Sequence, residues 1–172
     1  DSIIVGHLEE FDRREINALY KDGAIYITNE QDNEEDMIDD IVHELAHSLE
    51  PVYSMDIYGD KELENEFIAK RYSLYNILKA HNYNITLNNM LDSEYSSELD
   101  NFFYKEVGYK RLETFVLGLF VGPYAVTALR EYFATGFEEF YLGDPKILKD
   151  ISPKLYNKIL YLHKGEMINV GS

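Results

Sequence analysis

The residues best suited to chemistry are two histidines and a glutamate in the sequence His43-Glu44-Leu45-Ala46-His47. Residues four apart on a helix differ by about 40° in azimuth, so both imidazoles project from one face and can reach one metal ion. Zinc accepts imidazole nitrogens at roughly 2.0–2.1 Å and keeps a position for water in catalytic sites. Glu44 lies about 100° round the helix from His43, beside that water rather than on the metal. The spacing therefore predicts a site for one Zn²⁺ ion.

Hydrolysis is the reaction that this arrangement favours. Bound zinc lowers the pKa of water to near 7, and a carboxylate beside it can take the proton as the water attacks a carbonyl. The pattern therefore predicts a zinc-dependent endopeptidase in which Glu44 assists the attack of the zinc-bound water. The alternative is a catalytically silent zinc-binding structural or interaction domain, for example in a toxin or a virus particle, because the presence of these groups does not prove turnover.

A catalytic zinc site needs a third protein ligand besides His43 and His47. One candidate lies 19 residues after His47, and another lies 84 residues after it on a predicted helix that carries two further glutamates. Two histidines elsewhere are weaker candidates, since an isolated histidine near a helix end is more often a surface or capping residue. The candidates in chain order are Glu66, His81, Glu131, Glu138, Glu139 and His163. These residues alone leave the choice open.

The sequence around Glu131 resembles a known group of peptidases. Tyr124 lies seven residues before Glu131, and Tyr132-Phe133-Ala134 follows it, with Phe137 further on. Together with the His-Glu-x-x-His sequence, this pattern is similar to the catalytic domain of anthrax lethal factor and to the clostridial Pro-Pro endopeptidases, which are gluzincins. The resemblance covers roughly residues 15–81 and 122–163. It implies that Glu131 is the third zinc ligand and that Tyr124 polarises the substrate carbonyl.

The chain departs from that family in two places. The segment 82–121 is longer than expected between the two motif helices, and we interpret it as an insertion that covers or shapes the cleft. Substrate preference is therefore not carried over. Thr135 stands where lethal factor has an acidic residue. A carboxylate usually orients a ligating histidine, and Glu138 or an acidic residue within 36–40 is the candidate for that role.

The elements predicted to position these residues are mostly helices. Apolar spacing predicts a helix over 34–49, ended by Pro51, and a second over 61–81. A strand is predicted over 23–28, after an Asp22-Gly23 turn, and we expect the substrate to bind along it as an edge strand. The remaining predictions are a strand running into a helix within 3–19, a loop over 82–93, and helices over 94–107, 111–121, 125–141 and 153–164.

These elements predict an α+β fold, mostly helical and zincin-like, with a small sheet beside the His-Glu-x-x-His helix. At 172 residues the chain is long enough for one domain with its own core, so we predict a single metallopeptidase domain over 1–172. The longest apolar stretch, 115–126, is about half of what a bilayer span requires. We therefore expect no membrane span.

The amino-acid composition indicates which classes of partner and which metal ligands are available to this chain. The chain has no cysteine, so neither disulfides nor thiolate ligands are available. A net charge of −16 repels nucleic acid and favours basic peptide or protein substrates. The chain begins at Asp1 without a methionine, which suggests an excised domain or a processed product. We expect a secreted or virion-associated protein rather than a cytoplasmic one; the sequence does not predict its oligomeric state.

Overall fold

A computed structural model of the chain describes residues 2–14, 16–31 and 33–169, apart from the side chains of 13, 14 and 166–169. The chain divides into two compact units, Asp1–Ser54 and Met55–Ser172. The described residues are mostly helical with one three-stranded sheet, which confirms the α+β prediction. The zincin-like identity and the single domain stay predictions.

The first unit contains the sheet, whose strand order is β1-β3-β2. Its strands are β1 (Ser2–Val5), β2 (Ala18–Lys21) and β3 (Ala24–Ile27). β3 pairs in parallel with β1 and antiparallel with β2. Asp22 and Gly23 join β2 to β3 with φ of 51° and 78°. Positive φ at both central residues is the signature of a type I′ hairpin turn, so the predicted turn is confirmed.

The position of β3 corrects one prediction about substrate binding. β3 confirms the strand expected over 23–28, but it lies in the middle of the sheet, with a neighbour on each side. A central strand has no free backbone groups to pair with a peptide. The expectation that this strand is the substrate-binding edge is therefore wrong. The strand beside it, β2, was not predicted, and it forms an edge.

The helix that carries the two histidines is longer than predicted. The first unit also contains α1 (Glu9–Arg14), and α2 spans Glu34–Tyr58 with Pro51 inside it. Proline lacks an N–H and its ring crowds the carbonyl four residues earlier, which usually ends or kinks a helix. Here the helix continues through Pro51 and kinks at Tyr53, whose φ of −108° and ψ of 18° are not helical, and a second helical stretch follows the kink. Ending the helix before Pro51 was therefore wrong.

The second unit, from Met55 onward, is helical throughout its regular elements. The predicted helix over 61–81 is confirmed to within one residue at each end, and it begins after Lys61, whose φ is 62°. The final predicted helix also begins at Pro153, as expected. The helices are α3 (Glu62–Ala80), α4 (Leu87–Leu91), α5 (Ser97–Asn101), α6 (Tyr109–Val116), α7 (Leu129–Tyr141), α8 (Pro145–Ile151) and α9 (Pro153–Asn169). Among the described helices, none is both long and apolar enough to cross a bilayer.

The segment 82–121 is more regular than expected. The predicted loop over 82–93 contains α4, whose first turn is capped by Thr86. α5 continues into a π-helical turn, Phe102–Val107, and α6 follows after Gly108. Gly108 has φ 78°, a conformation that glycine adopts without strain. The predicted break at Gly108 is confirmed.

The region after 121 contains two differences from the predicted helices. Tyr124–Val126 forms a single 3₁₀ turn, and Ala128 is extended, with φ −157° and ψ 161°. That extended residue separates the 3₁₀ turn from α7, so the helix begins at Leu129 rather than at 125. α8 was not predicted; Asp144 caps it by accepting a hydrogen bond from the Lys146 N–H at 2.8 Å.

Two buried cations of α3 connect it to its surroundings in the second unit. Arg71 is fully buried and donates to the backbone oxygens of Asp92 at 2.7 Å and Asn89 at 3.2 Å. Lys70 donates to Ser152 Oγ at 3.0 Å and to two backbone carbonyls, and its burial lowers its pKa to about 8. Hydrogen bonds to carbonyl oxygens offset much of the cost of burying these charges, although the Nε of Arg71 has no partner among the described residues. Arg71 therefore anchors the start of the segment 82–121 on α3.

Candidate functional site

The two predicted zinc ligands lie together on one face of α2. The Nε2 atoms of His43 and His47 are 3.2 Å apart, and the ring planes meet at 76°. Tetrahedral zinc with bonds of 2.0–2.1 Å separates two ligand atoms by about 3.4 Å. His47 is only 6% exposed. The pair thus has the spacing that two nitrogen ligands of one ion require.

Glu50 orients one of these histidines. Its Oε2 lies 2.8 Å from Nδ1 of His47, and its side chain is largely shielded from solvent. A carboxylate on one ring nitrogen fixes the tautomer and directs the other nitrogen, here Nε2, towards a metal. Glu138 and the acidic residues 36–40 were the predicted candidates for such a role. For His47 the partner is Glu50, which sequence reasoning missed because the helix was expected to end before Pro51.

The Glu50 contact predicts a measurable effect on zinc affinity. In Glu50→Gln the side-chain oxygen can still accept from Nδ1, but the charge that makes the imidazole a stronger ligand is lost. We expect zinc affinity to fall by about 10- to 100-fold, measured by competition with a chromophoric chelator. Glu35→Gln, which removes the same charge from an exposed position in the first turn of α2, is the control. Equal affinities in both variants would contradict this role for Glu50.

Glu44 is held by the backbone of β2. Its Oε2 accepts a hydrogen bond from the Tyr20 N–H at 2.6 Å. Thr28 donates its N–H to the Asn17 oxygen at 2.8 Å, and the bonded positions of an antiparallel pair alternate. Ala18 and Tyr20 therefore direct their backbone groups away from β3, towards the free edge of β2. Glu44 is fixed at that edge, with Oε1 left to exchange a proton.

Glu131 lies in the first turn of α7 and is 9% exposed. The residues that follow Glu131 in α7 contact other helices of the second unit. The Tyr132 hydroxyl donates to Glu66 Oε1 at 2.9 Å. A Cβ on Gly136 would lie 2.3 Å from Leu155 Cδ2 and 2.7 Å from its Cγ, so a larger residue here would force the Leu155 side chain of α9 to move. Glu131 is thus carried by a helix that is hydrogen-bonded to α3 and packed against α9.

Tyr124 lies just before α7, and its phenol interacts with Glu131. Tyr124 begins the 3₁₀ turn, and the Thr127 hydroxyl donates to its backbone oxygen at 2.9 Å. Its side chain is 42% exposed. The surrounding protein raises the pKa of the Tyr124 phenol above its ordinary value, and the charge of Glu131 raises it further. A phenol is protonated at neutral pH even at its ordinary pKa, so Tyr124 can donate a hydrogen bond.

Glu66, a rival for the third ligand, is fully engaged elsewhere. Its Oε1 accepts from the Tyr132 hydroxyl and from the Leu155 N–H at 3.1 Å, and its Oε2 accepts from the Lys154 N–H at 2.9 Å. These two backbone donors belong to the first turn of α9, where N–H groups have no partner within the helix. Glu66 is therefore a cap for α9.

One group of described His, Asp and Glu side chains could hold a metal ion. The candidate donor set is His43 and His47 on α2 with Glu131 on α7. Two imidazoles and one carboxylate form a donor set of catalytic zinc sites, with a position left for water. The other candidates, among the residues described, do not belong to such a group: Glu66, His81, Glu138, Glu139 and His163.

The motifs quoted for the lethal factor resemblance thus lie on α2, on the 3₁₀ turn and on α7. The family assignment stays a prediction from those motifs. No protein-family model, no curated protein and no solved structure matches this chain.

Proposed function

We propose that this chain is a zinc-dependent endopeptidase whose single ion is bound by His43, His47 and Glu131. The observation that carries the proposal is the pair of histidine Nε2 atoms 3.2 Å apart on α2, with Glu44 next in sequence and held at a strand edge. Glu131 supplies the carboxylate of the same donor set. A pair of imidazoles alone also occurs in structural zinc sites, so the position of Glu44 is what favours hydrolysis.

In the proposed reaction, the zinc ion and the protein side chains have different roles. Zinc, when bound, acts as a Lewis acid and makes water a nucleophile near neutral pH. Glu44 accepts the proton of the attacking water at Oε1, while the Tyr20 N–H holds Oε2 in place. The carboxyl group then donates that proton to the nitrogen of the leaving amine. One residue thus acts first as a general base and then as a general acid.

Tyr124 has a separate role in this proposal. The oxygen of the scissile carbonyl becomes negatively charged as the water adds, and a preorganised donor stabilises that charge. The phenol of Tyr124 is protonated at neutral pH, as any tyrosine with a pKa near or above 10 is, and its surroundings raise its pKa further. It therefore donates a hydrogen bond to the oxyanion at neutral pH.

The free edge of β2 supports an extended peptide as substrate. The outward groups left for a peptide are the N–H and oxygen of Ala18 and the oxygen of Tyr20, because the Tyr20 N–H is already bonded to Glu44. A peptide that adds to this edge as a further strand brings its backbone directly to the catalytic carboxylate. The net charge of −16 favours peptides that carry basic residues.

Tyr20→Pro tests whether the hydrogen bond to Glu44 matters for catalysis. Proline removes the N–H that Glu44 accepts, yet an outward position on an edge strand tolerates proline. Hydrogen bonds to charged groups contribute about 1.5–3 kcal/mol, so we expect kcat/KM to fall by about 10- to 100-fold with the sheet intact. Peptide cleavage assays and circular dichroism measure the two outcomes.

Two matched variants make that result interpretable. Tyr20→Ala removes the same side chain but keeps the N–H, and it should retain most of the activity. Leu19→Pro removes an N–H that faces β3 and should unfold the sheet. Full activity in Tyr20→Pro would show that Glu44 does not need this donor.

The direct test of the proposed function is peptide cleavage with and without zinc. The metal-free protein should leave a peptide library intact, and about one equivalent of zinc should start cleavage that a chelator stops. Cleavage that persists in excess chelator would refute the zinc mechanism. Tight binding of zinc without cleavage of any peptide would favour the silent zinc-binding domain instead.

A further inference from the structure

Two tyrosines donate hydrogen bonds to one carboxylate in the segment 82–121, and a third tyrosine packs against one of them. The Tyr95 hydroxyl donates to Oδ2 of Asp100 at 2.9 Å, and the Tyr109 hydroxyl donates to Oδ1 at 3.3 Å. The ring of Tyr104 lies 5.7 Å from that of Tyr109, at an angle of 50°. Tyr95 and Tyr104 are 52% and 57% exposed. We call these four residues the tyrosine cluster; it presents aromatic surface and a carboxylate to solvent.

The charge of Asp100 has no basic partner within the described part of the chain. Its two hydrogen bonds come from neutral phenols, and no ion pair with Lys, Arg or His involves it there. An ionised carboxylate can accept about four hydrogen bonds, so two positions are still available. The cluster thus offers a fixed negative charge bonded to Tyr95 and Tyr109, with the exposed ring of Tyr104 packed against that of Tyr109.

The tyrosine cluster lies beside the region of Tyr124. The Leu129 N–H donates to the Ser93 oxygen at 2.8 Å. This hydrogen bond connects the residues just before Tyr95 to the residues between Tyr124 and Glu131. The charge of Asp100 also contributes to raising the pKa of Tyr124. A group bound at the cluster would therefore flank the carbonyl on which Tyr124 is proposed to act.

We propose that the tyrosine cluster is a specificity subsite that binds the side chain of a lysine or arginine near the scissile bond of the peptide substrate. The inference rests on the proposed peptidase function. A cation is attracted by the faces of aromatic rings and by the carboxylate at once, whereas an aliphatic side chain would leave the charge of Asp100 uncompensated. Asp100 supplies the charge, and Tyr104 supplies exposed ring surface. The segment 82–121 thereby contributes to substrate selection.

The test compares lysine with norleucine, which has nearly the same length and no charge. A peptide that the wild-type protein cleaves is synthesised with each residue in turn at the positions flanking the scissile bond. At one position we expect kcat/KM for lysine to exceed that for norleucine by about tenfold. Asp100→Asn should bring this ratio close to one, and Tyr104→Ala should lower it by about threefold. Because the lysine and norleucine peptides are compared as a ratio of kcat/KM, a change in Tyr124 that affects both peptides equally does not alter the result.

Glu98→Gln is the matched control, since it removes the same charge from an exposed residue of the same short helix. An unchanged ratio in Glu98→Gln supports the subsite. The inference is overturned if the wild-type protein cleaves both peptides equally at every position. It is also overturned if Asp100→Asn keeps the lysine preference, or if Glu98→Gln loses it to the same extent.

A binding experiment separates this inference from the proposed function. Nα-acetyl-lysine methylamide and its norleucine counterpart are titrated into the protein, and the tyrosine ring protons are followed by NMR. Shifts with the lysine compound alone, absent in Asp100→Asn, support the subsite even if no peptide is cleaved, in which case only the peptidase function fails. Equal responses to both compounds would overturn the subsite while leaving peptidase activity possible.

Discussion

Replacing Glu44 with glutamine is expected to lower peptide hydrolysis by about 1,000-fold while zinc content stays at one ion per chain. The amide oxygen of glutamine can still accept the Tyr20 N–H, so the side chain keeps its position at the edge of β2. An amide cannot take a proton from water, however, so the base is lost and the geometry is kept. Single-turnover cleavage assays and metal analysis of the same preparation measure both quantities.

The exposed Glu35 provides the control for this change. Glu35→Gln removes an equal charge from the same helix, α2, and should retain full activity. If Glu44→Gln loses its zinc as well, Glu44 is a ligand rather than a base. Undiminished cleavage in Glu44→Gln would remove this residue from the mechanism.

Glu131→Ala is expected to weaken zinc binding by at least about 100-fold. Structural zinc sites with four ligands bind with roughly 10–16 kcal/mol, so a single ligand contributes on the order of 3 kcal/mol. Zinc stabilises the folded protein only to the extent that it binds it. The rise in melting temperature that zinc produces in the wild-type protein should therefore be largely absent in Glu131→Ala, as a thermal melt with and without zinc would show.

Glu66→Gln separates loss of a ligand from loss of stability. Glutamine leaves the Lys154 N–H facing an amide NH₂ group, so the cap of α9 is weakened. We expect the free energy of unfolding of the metal-free protein to fall by about 1–2 kcal/mol in urea titrations. Zinc should nevertheless raise the melting temperature of this variant as it does for wild type. The opposite pattern, with zinc lost in Glu66→Gln and kept in Glu131→Ala, would assign the third ligand to Glu66.

The helices that bear the motifs were predictable because their signals are periodic and local. The His-Glu-x-x-His spacing places two imidazoles on one face of any α-helix, and α2 has this geometry with Nε2 atoms 3.2 Å apart. The helix over 61–81 was predicted within one residue at each end, since its apolar stripe is long. The turn at Asp22-Gly23 followed from the conformational preference of these residues.

The groups that support the site could not be predicted in the same way. Tyr20 acts through its backbone N–H, and no side-chain pattern marks which N–H of a strand faces outward. Glu50 was missed because Pro51 indicated the end of the helix, whereas the helix continues and places Glu50 three residues after His47. Glu66 was a plausible ligand by spacing, and only its three hydrogen bonds identify it as a cap.

The segment 82–121 shows a further limit of sequence reasoning. Its helices are short, five residues for α4 and for α5, and such lengths give no clear periodicity. Its position depends on tertiary contacts such as the hydrogen bond from Arg71 to the Asp92 oxygen. The grouping of Tyr95, Tyr104 and Tyr109 with Asp100 is likewise a product of tertiary structure.

The most direct test of the zinc centre is anomalous diffraction from crystals of the zinc-loaded protein, recorded on both sides of the zinc absorption edge. We expect one strong peak within roughly 2.0–2.2 Å of Nε2 of His43, Nε2 of His47 and a carboxylate oxygen of Glu131. The Oε1 atom of Glu44 should lie near this peak without bonding to it. A peak bound by other residues, or none between the two histidines, would contradict the account.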